Sequence, residues 1–124
     1  MQHPVRILIV DDVFQYRAVL TECLHRSGYC VTGSCRHDQN AIDGEIRKGK
    51  PVVAFISFKT TQLNTLHTFE WLRKQYPDLL QVMTTLYSSA CADREAKRLK
   101  VEGLIVKSID SDKAIKALLQ AILL

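Results

Sequence analysis

Several features that usually announce a function are missing from this chain. No apolar stretch approaches the roughly 18 residues needed to span a membrane. The start, Met1-Gln2-His3-Pro4, lacks the basic residues and apolar core of a secretory signal, so a cytoplasmic location is expected. The four cysteines, Cys23, Cys30, Cys35 and Cys91, include no CxxC pair. They read as reduced, mostly buried thiols, neither a disulfide framework nor a zinc site. His3, His25, His37 and His67 show no ligand spacing with these cysteines, which removes support for a soft-metal centre. No glycine-rich phosphate loop follows the first apolar run, and no basic segment is interleaved with aromatics. Nucleotide binding and direct DNA binding therefore lack their usual signatures.

The 124 residues fit one domain, 1–124, with a single core. Apolar content of 47% beside 24% charged residues is ordinary for a globular chain. The net charge of +4 is modest, but basic residues crowd the last third: Arg94, Lys97, Arg98, Lys100, Lys107, Lys113 and Lys116. Such a crowd reads either as a solvated helix face or as a surface for an acidic partner.

The stretch around which the rest is arranged is Val5-Arg6-Ile7-Leu8-Ile9-Val10-Asp11-Asp12. A nearly unbroken run of branched apolar residues predicts a central parallel strand covered on both sides by helices. It ends on two adjacent carboxylates, which would repel by about 4 kcal/mol if about 4 Å apart at an effective dielectric of about 20. Either a cation or a cationic side chain neutralises them, or Asp12 caps the next helix while Asp11 faces solvent.

The pattern then alternates. A helix carrying Tyr16, Leu20, Cys23 and Leu24 stops at Gly28, and Tyr29 to Ser34 reads as a more exposed strand near an edge. A short helix with Ala41, Ile42 and Ile46 is broken at Gly49-Lys50-Pro51, before the buried strand Val52 to Phe58 with Ser57 at its carboxyl end. Leu66, Phe69, Leu72 and Tyr76 share one helix face that ends at Pro77, with Trp71 off that face. Leu79 to Leu86 is a fourth strand, with Thr84 and Thr85 near its end. A basic helix from Cys91 to Lys100, the strand Leu104 to Val106, Lys107, and a helix from Ser111 burying Ile115, Leu118 and Ile122 complete the chain. Five strands alternating with five helices predict an α/β fold with right-handed crossovers. Its reactive crevice lies at the carboxyl ends of the strands, where Asp11, Asp12, Ser57, Thr84 or Thr85, and Lys107 fall.

In order and spacing, VRILIVDD, KPVVAFISF, YPDLLQVMTTLY and GLIVKSID make the chain similar to the receiver domain of two-component response regulators over nearly its whole length. The resemblance implies a flavodoxin-like doubly wound sheet of strand order 2-1-3-4-5. It also implies Mg²⁺ on Asp11 and Asp12, a phosphoryl acceptor at position 57, and phosphate contacts from Thr85 and Lys107. Position 57 is serine, however, where the family has aspartate. A carboxylate attacks phosphorus already ionised, whereas a hydroxyl needs a general base, and none stands at the motif positions. With that carboxylate gone, Mg²⁺ would be held weakly or not at all, and Lys107 is long enough to neutralise the acidic pair instead.

Other departures accompany this one. Ser108 stands where the family has proline, Leu104 where it has an aromatic switch residue, and Lys59-Thr60-Thr61 follows the acceptor position. The expected function is an atypical receiver, or pseudo-receiver, that signals by protein–protein contact without aspartyl phosphorylation. Its partner, or a second copy in a homodimer, would dock on the face of the fourth helix, fifth strand and fifth helix. An alternative keeps regulation by a phosphoryl group or anion through Ser57, Thr85 and Lys107. A small flavodoxin-like enzyme is the weakest reading, because the DxD motif and the flavin phosphate loop are both missing. The apolar close, Leu118 to Leu124, suggests a carboxyl-terminal output domain in a longer regulator.

Overall fold

The computed structural model describes residues 4–62, 64–107 and 111–123. Its elements alternate as β1 (Arg6–Val10), α1 (Phe14–Arg26), β2 (Cys30–Cys35), α2 (Gln39–Gly49), β3 (Val53–Ser57), α3 (Asn64–Gln75), β4 (Leu80–Thr85), α4 (Ala90–Leu99), β5 (Gly103–Val106) and α5 (Ser111–Ile122). The strands form one parallel sheet in the order β2-β1-β3-β4-β5, which is the flavodoxin-like arrangement.

Strand alternation divides the core in two. Leu8, Val10, Ile56 and Met83 face one way and pack with Ile42 of α2 and with Phe69 and Leu72 of α3. Ile7, Ile9, Phe55 and Val82 face the other way, against Cys23 and Leu24 of α1 and Ile115 and Leu119 of α5. Both faces of β1 and β3 are therefore covered, as their continuous apolar runs require. Edge strand β2 is mostly half-buried, and CVTGSC accordingly carries small and polar residues.

Helix ends follow local chemistry. Gly28, at φ +89, turns the chain after α1 through a region that β-carbons disfavour. Asp38 caps α2 by accepting from Ala41 N–H, and Ser89 caps α4 by accepting from Ala92 N–H. Lys50 and Lys100 close α2 and α4 in the left-handed conformation, where glycine would be more usual.

Several expectations are corrected. Val13, not Asp12, is the N-cap of α1 and makes no side-chain cap bond, because the Asp12 carboxylate is turned to the loop after β2. On α5 the fully buried pair is Ile115 and Leu119, one turn apart, while Leu118 and Ile122 are half-buried at the margin. Among the cysteines only Cys23 is buried; Cys30, Cys35 and Cys91 are half-exposed and all four are free. Trp71 is partly buried against the α3 side of the core and meets Tyr76 edge-on, with ring centroids 6.3 Å apart. Ser108 lies outside the described residues.

Candidate functional site

All five strands end at the same edge of the sheet, and each places a residue there. Asp11 directly follows β1, and only 3% of it is exposed. Its Oδ1 accepts the Val13 N–H at 2.9 Å and its Oδ2 accepts the Lys107 ammonium at 2.6 Å. Lys107 is positioned from β5, where its N–H donates to the Thr85 carbonyl at 2.7 Å. Its ammonium also lies 4.5 Å from the centre of the Tyr16 ring. A buried carboxylate with its own cation is a closed unit, and removing either partner would strand the other.

Asp12 faces another way. Its Oδ1 accepts the His37 backbone N–H at 2.8 Å, and the Arg36 guanidinium lies 3.9 Å from the same oxygen. The His37 ring then bridges two further elements: Nε2 is 2.9 Å from Ser57 Oγ at the end of β3, and Nδ1 is 2.8 Å from Thr68 Oγ1 on α3. Either hydroxyl can donate or accept, so each ring tautomer is satisfied. Burial holds the His37 imidazole below its ordinary pKa of 6.5, against the opposing pull of the Asp12 and Asp11 carboxylates. Its neutral form therefore prevails at neutral pH.

No motif position offers a base for Ser57; the structure sets the His37 ring against its hydroxyl. Nothing in its spacing marked it, since it sits in the polar stretch between β2 and α2. Position was the available cue: His37 follows a strand whose carboxyl end opens beside that of β1.

Thr85 is 4% exposed, and its Oγ1 has no hydrogen-bond partner among the described residues. Thr84, one residue earlier, faces the opposite side of the sheet, where a cavity of about 290 Å³ lies between α1 and α5. On that side the Cys23 thiol donates to Asp112 Oδ1 at 3.0 Å. Burial first, and then this bond, push its pKa to about 11, so the thiol is inert. Leu104, on β5 beside Met83, is half-buried against the α3 and α4 side of the core.

These residues do not suit Mg²⁺. The ion prefers an octahedron of oxygens with carboxylate charge to spare. Here both Asp11 oxygens are engaged within the chain, Asp12 accepts from His37, and Ser57 offers a neutral hydroxyl already bonded to imidazole. Among the described residues, no group of three or more His, Cys, Asp or Glu side chains is gathered as a cation cage.

A doubly wound sheet with paired acids, a hydroxyl and a lysine at its carboxyl edge defines a class of signalling fold. The chain matches the response regulator receiver domain over residues 7–119 and belongs to that family. It is 22% identical over 113 residues to the chemotaxis protein CheY of Thermotoga maritima, covering 91% of this chain and 93% of that one. A two-component response regulator of the LuxR family from an Aurantimonas species superposes with a TM-score of 0.80, at 20% identity, over 98% of this chain and 86% of the other. NtrX from Brucella abortus superposes with a TM-score of 0.76, at 23% identity, over 98% of this chain but 28% of that longer one. A unit of this fold can thus form a minor part of a larger protein. Receiver domains of response regulators serve two-component signalling and are not enzymes. Among the described residues, no helix is long and apolar enough to cross a membrane.

Proposed function

We propose that this receiver signals by protein–protein contact without aspartyl phosphorylation. One observation carries the reading: the residue closing β3, beside the Asp11–Lys107 pair, is a serine bonded to a histidine. Among the described residues, no carboxylate stands at that position to attack phosphorus, and no trio of acids is gathered to hold a metal. Output would pass through the α4, β5 and α5 face, where Arg94, Lys97, Lys100, Lys113 and Lys116 are exposed and favour an acidic protein surface or a second copy of the chain. Lys107 does not belong to that face, since its ammonium turns inward to Asp11. A cytoplasmic location, a single receiver unit over 1–124 and an output domain in a longer parent chain fit this role.

The test is incubation with acetyl phosphate and Mg²⁺, followed by intact-mass measurement at neutral and acidic pH. The expected spectrum is unmodified protein. Beryllofluoride with Mg²⁺ should likewise leave the NMR signals of Asp12, Thr85 and Lys107 in place. An acid-labile phosphoryl adduct would overturn the reading.

A second reading is favoured by His37. With its Nε2 2.9 Å from Ser57 Oγ, the neutral imidazole is placed to take the serine proton as the oxygen attacks the phosphorus of acetyl phosphate, whose bond to the acetyl oxygen breaks and releases acetate. The product would be an acid-stable serine ester, which the same mass measurement distinguishes from an aspartyl phosphate.

A further inference from the structure

On the face of the sheet opposite α2 and α3, the cavity of about 290 Å³ between α1 and α5 is walled by Tyr16, Val19 and Leu20 of α1 and by Ile105 and Ile115. Its floor is Thr84 of β4, whose neighbours in register are Ser57 and Ile105. Ile105 and Ile115 are buried, Leu20 is half-buried, and Val19, 66% exposed, stands at the mouth. Aliphatic walls hold water poorly, because a confined water needs two to four polar partners.

Each charged side chain in the lining already has a partner. The Asp112 carboxylate accepts the Cys23 thiol on Oδ1 at 3.0 Å and the Arg26 guanidinium on Oδ2 at 3.3 Å. Arg26 is held from its other side by Glu22, also at 3.3 Å. Lys107 brings no free charge, since its ammonium is 2.6 Å from Asp11 and lies over the Tyr16 ring. Apart from these groups, the polar atoms of the lining side chains are the Thr84 and Tyr16 hydroxyls. A charged guest would lose its water and meet no free counter-charge, which is costly. The lining therefore selects against ions.

From the aliphatic walls, the paired charges and the volume, we infer that this cavity binds a small neutral aromatic compound of one or two fused rings bearing a single hydrogen-bonding group. A space of about 150 Å³ lined by apolar side chains takes benzene, so one about twice that size suits a bicyclic ring. Tyr16 offers offset or edge-on stacking, and the Thr84 hydroxyl donates to or accepts from the polar group of the guest. A ring seated there touches α1, β4 and α5 together, so occupancy stabilises the packing of a helix that borders the proposed output face. The inference goes beyond signalling by contact and stands independently of it, because the cavity lies off the site of Ser57 and His37 and needs no phosphoryl group. It supplies an input for a receiver that lacks the acceptor carboxylate.

The test uses the full chain, with three probes followed by calorimetry and methyl NMR: indole, its anionic relative indole-3-acetate and its cationic relative tryptamine. Indole is expected to saturate and to raise the melting midpoint, with shifts at the methyls of Leu20, Ile105 and Ile115 and none at Ile42 or Leu72 across the sheet. Each charged relative should bind about tenfold more weakly or worse. Leu20→Phe, which fills the space, should abolish binding. Thr84→Val keeps the walls and removes the hydroxyl; it should weaken binding about threefold to tenfold, and it carries the test where the bulkier variant unfolds. Ile42→Val, on the other face, should bind as the parent does. The inference is overturned if indole does not saturate, if a charged relative binds as well, if Thr84→Val binds as tightly as the parent, or if Ile42→Val weakens binding as much. It is overturned too if binding vanishes as the chain self-associates at rising concentration, which assigns the cavity to a second copy. A phosphoryl adduct from acetyl phosphate would remove the signalling proposal alone, whereas failure of indole would remove this one alone.

Discussion

The Lys107 ammonium stands 2.6 Å from a carboxylate oxygen of Asp11, and both side chains are largely withdrawn from water. The pair joins residues 96 positions apart in sequence. Substituting Lys107→Met leaves a buried carboxylate alone and is expected to destabilise the fold by about 3 kcal/mol. Adding Asp11→Asn should restore much of that loss, since the charge needing a partner is then gone. Urea denaturation of the single and double variants at neutral pH measures both effects.

Acid should weaken the His37 bridge. Burial holds the folded pKa below the unfolded value of 6.5, so the unfolded chain binds this proton more readily than the folded one. The stability due to the neutral ring is complete above 6.5 and drains away as pH falls from there toward the folded pKa. Denaturation midpoints taken across that interval should decline in the parent protein. In His37→Gln, whose side chain does not titrate, the decline should be shallower by the contribution of this residue.

Thr85→Val removes a hydroxyl with no partner while keeping the branched shape that suits β4. The variant should be more stable than the parent by about 1 kcal/mol in the absence of ligand, because the unsatisfied group is gone. Its midpoint in urea checks this. Loss of stability would mean that the hydroxyl has a partner in solution.

Lys50 adopts φ 49 at the end of α2. Glycine meets no β-carbon conflict there, so Lys50→Gly should stabilise the protein by roughly 0.5 to 1 kcal/mol even though glycine has more freedom when unfolded. The Lys50 carbonyl, which accepts from Arg6 Nε at 2.8 Å, is kept in the variant. Thermal unfolding of the two proteins gives the comparison.

The sheet was legible wherever burial is complete on both faces. Ile7 to Val10 and Val53 to Ile56 are apolar at every position because helices cover both sides, and that pattern has little other explanation. The helices were legible as stripes, but their fine phase was not: Leu118 and Leu119 are equally apolar, and only the tilt of α5 against β5 and α1 decides which goes inside. The hydroxyl at the end of β3 and the lysine after β5 could be placed at the site from the alternation of elements alone. His37 and Thr68 could not, because a ring that bridges a loop, a strand end and a helix depends on three elements meeting in space. The direction of the Asp12 carboxylate was hidden for the same reason, since capping α1 and receiving the His37 N–H are both open to it locally.

In the order β2-β1-β3-β4-β5, the strands bearing Asp11 and Lys107 are separated by two others. The ion pair is therefore a strut laid across the top of β3 and β4, anchoring the rim strand to the middle of the molecule. Anything that levers β5 outward by more than the reach of one lysine breaks the strut and bares a charge deep in the protein, so the border and the centre cannot move independently.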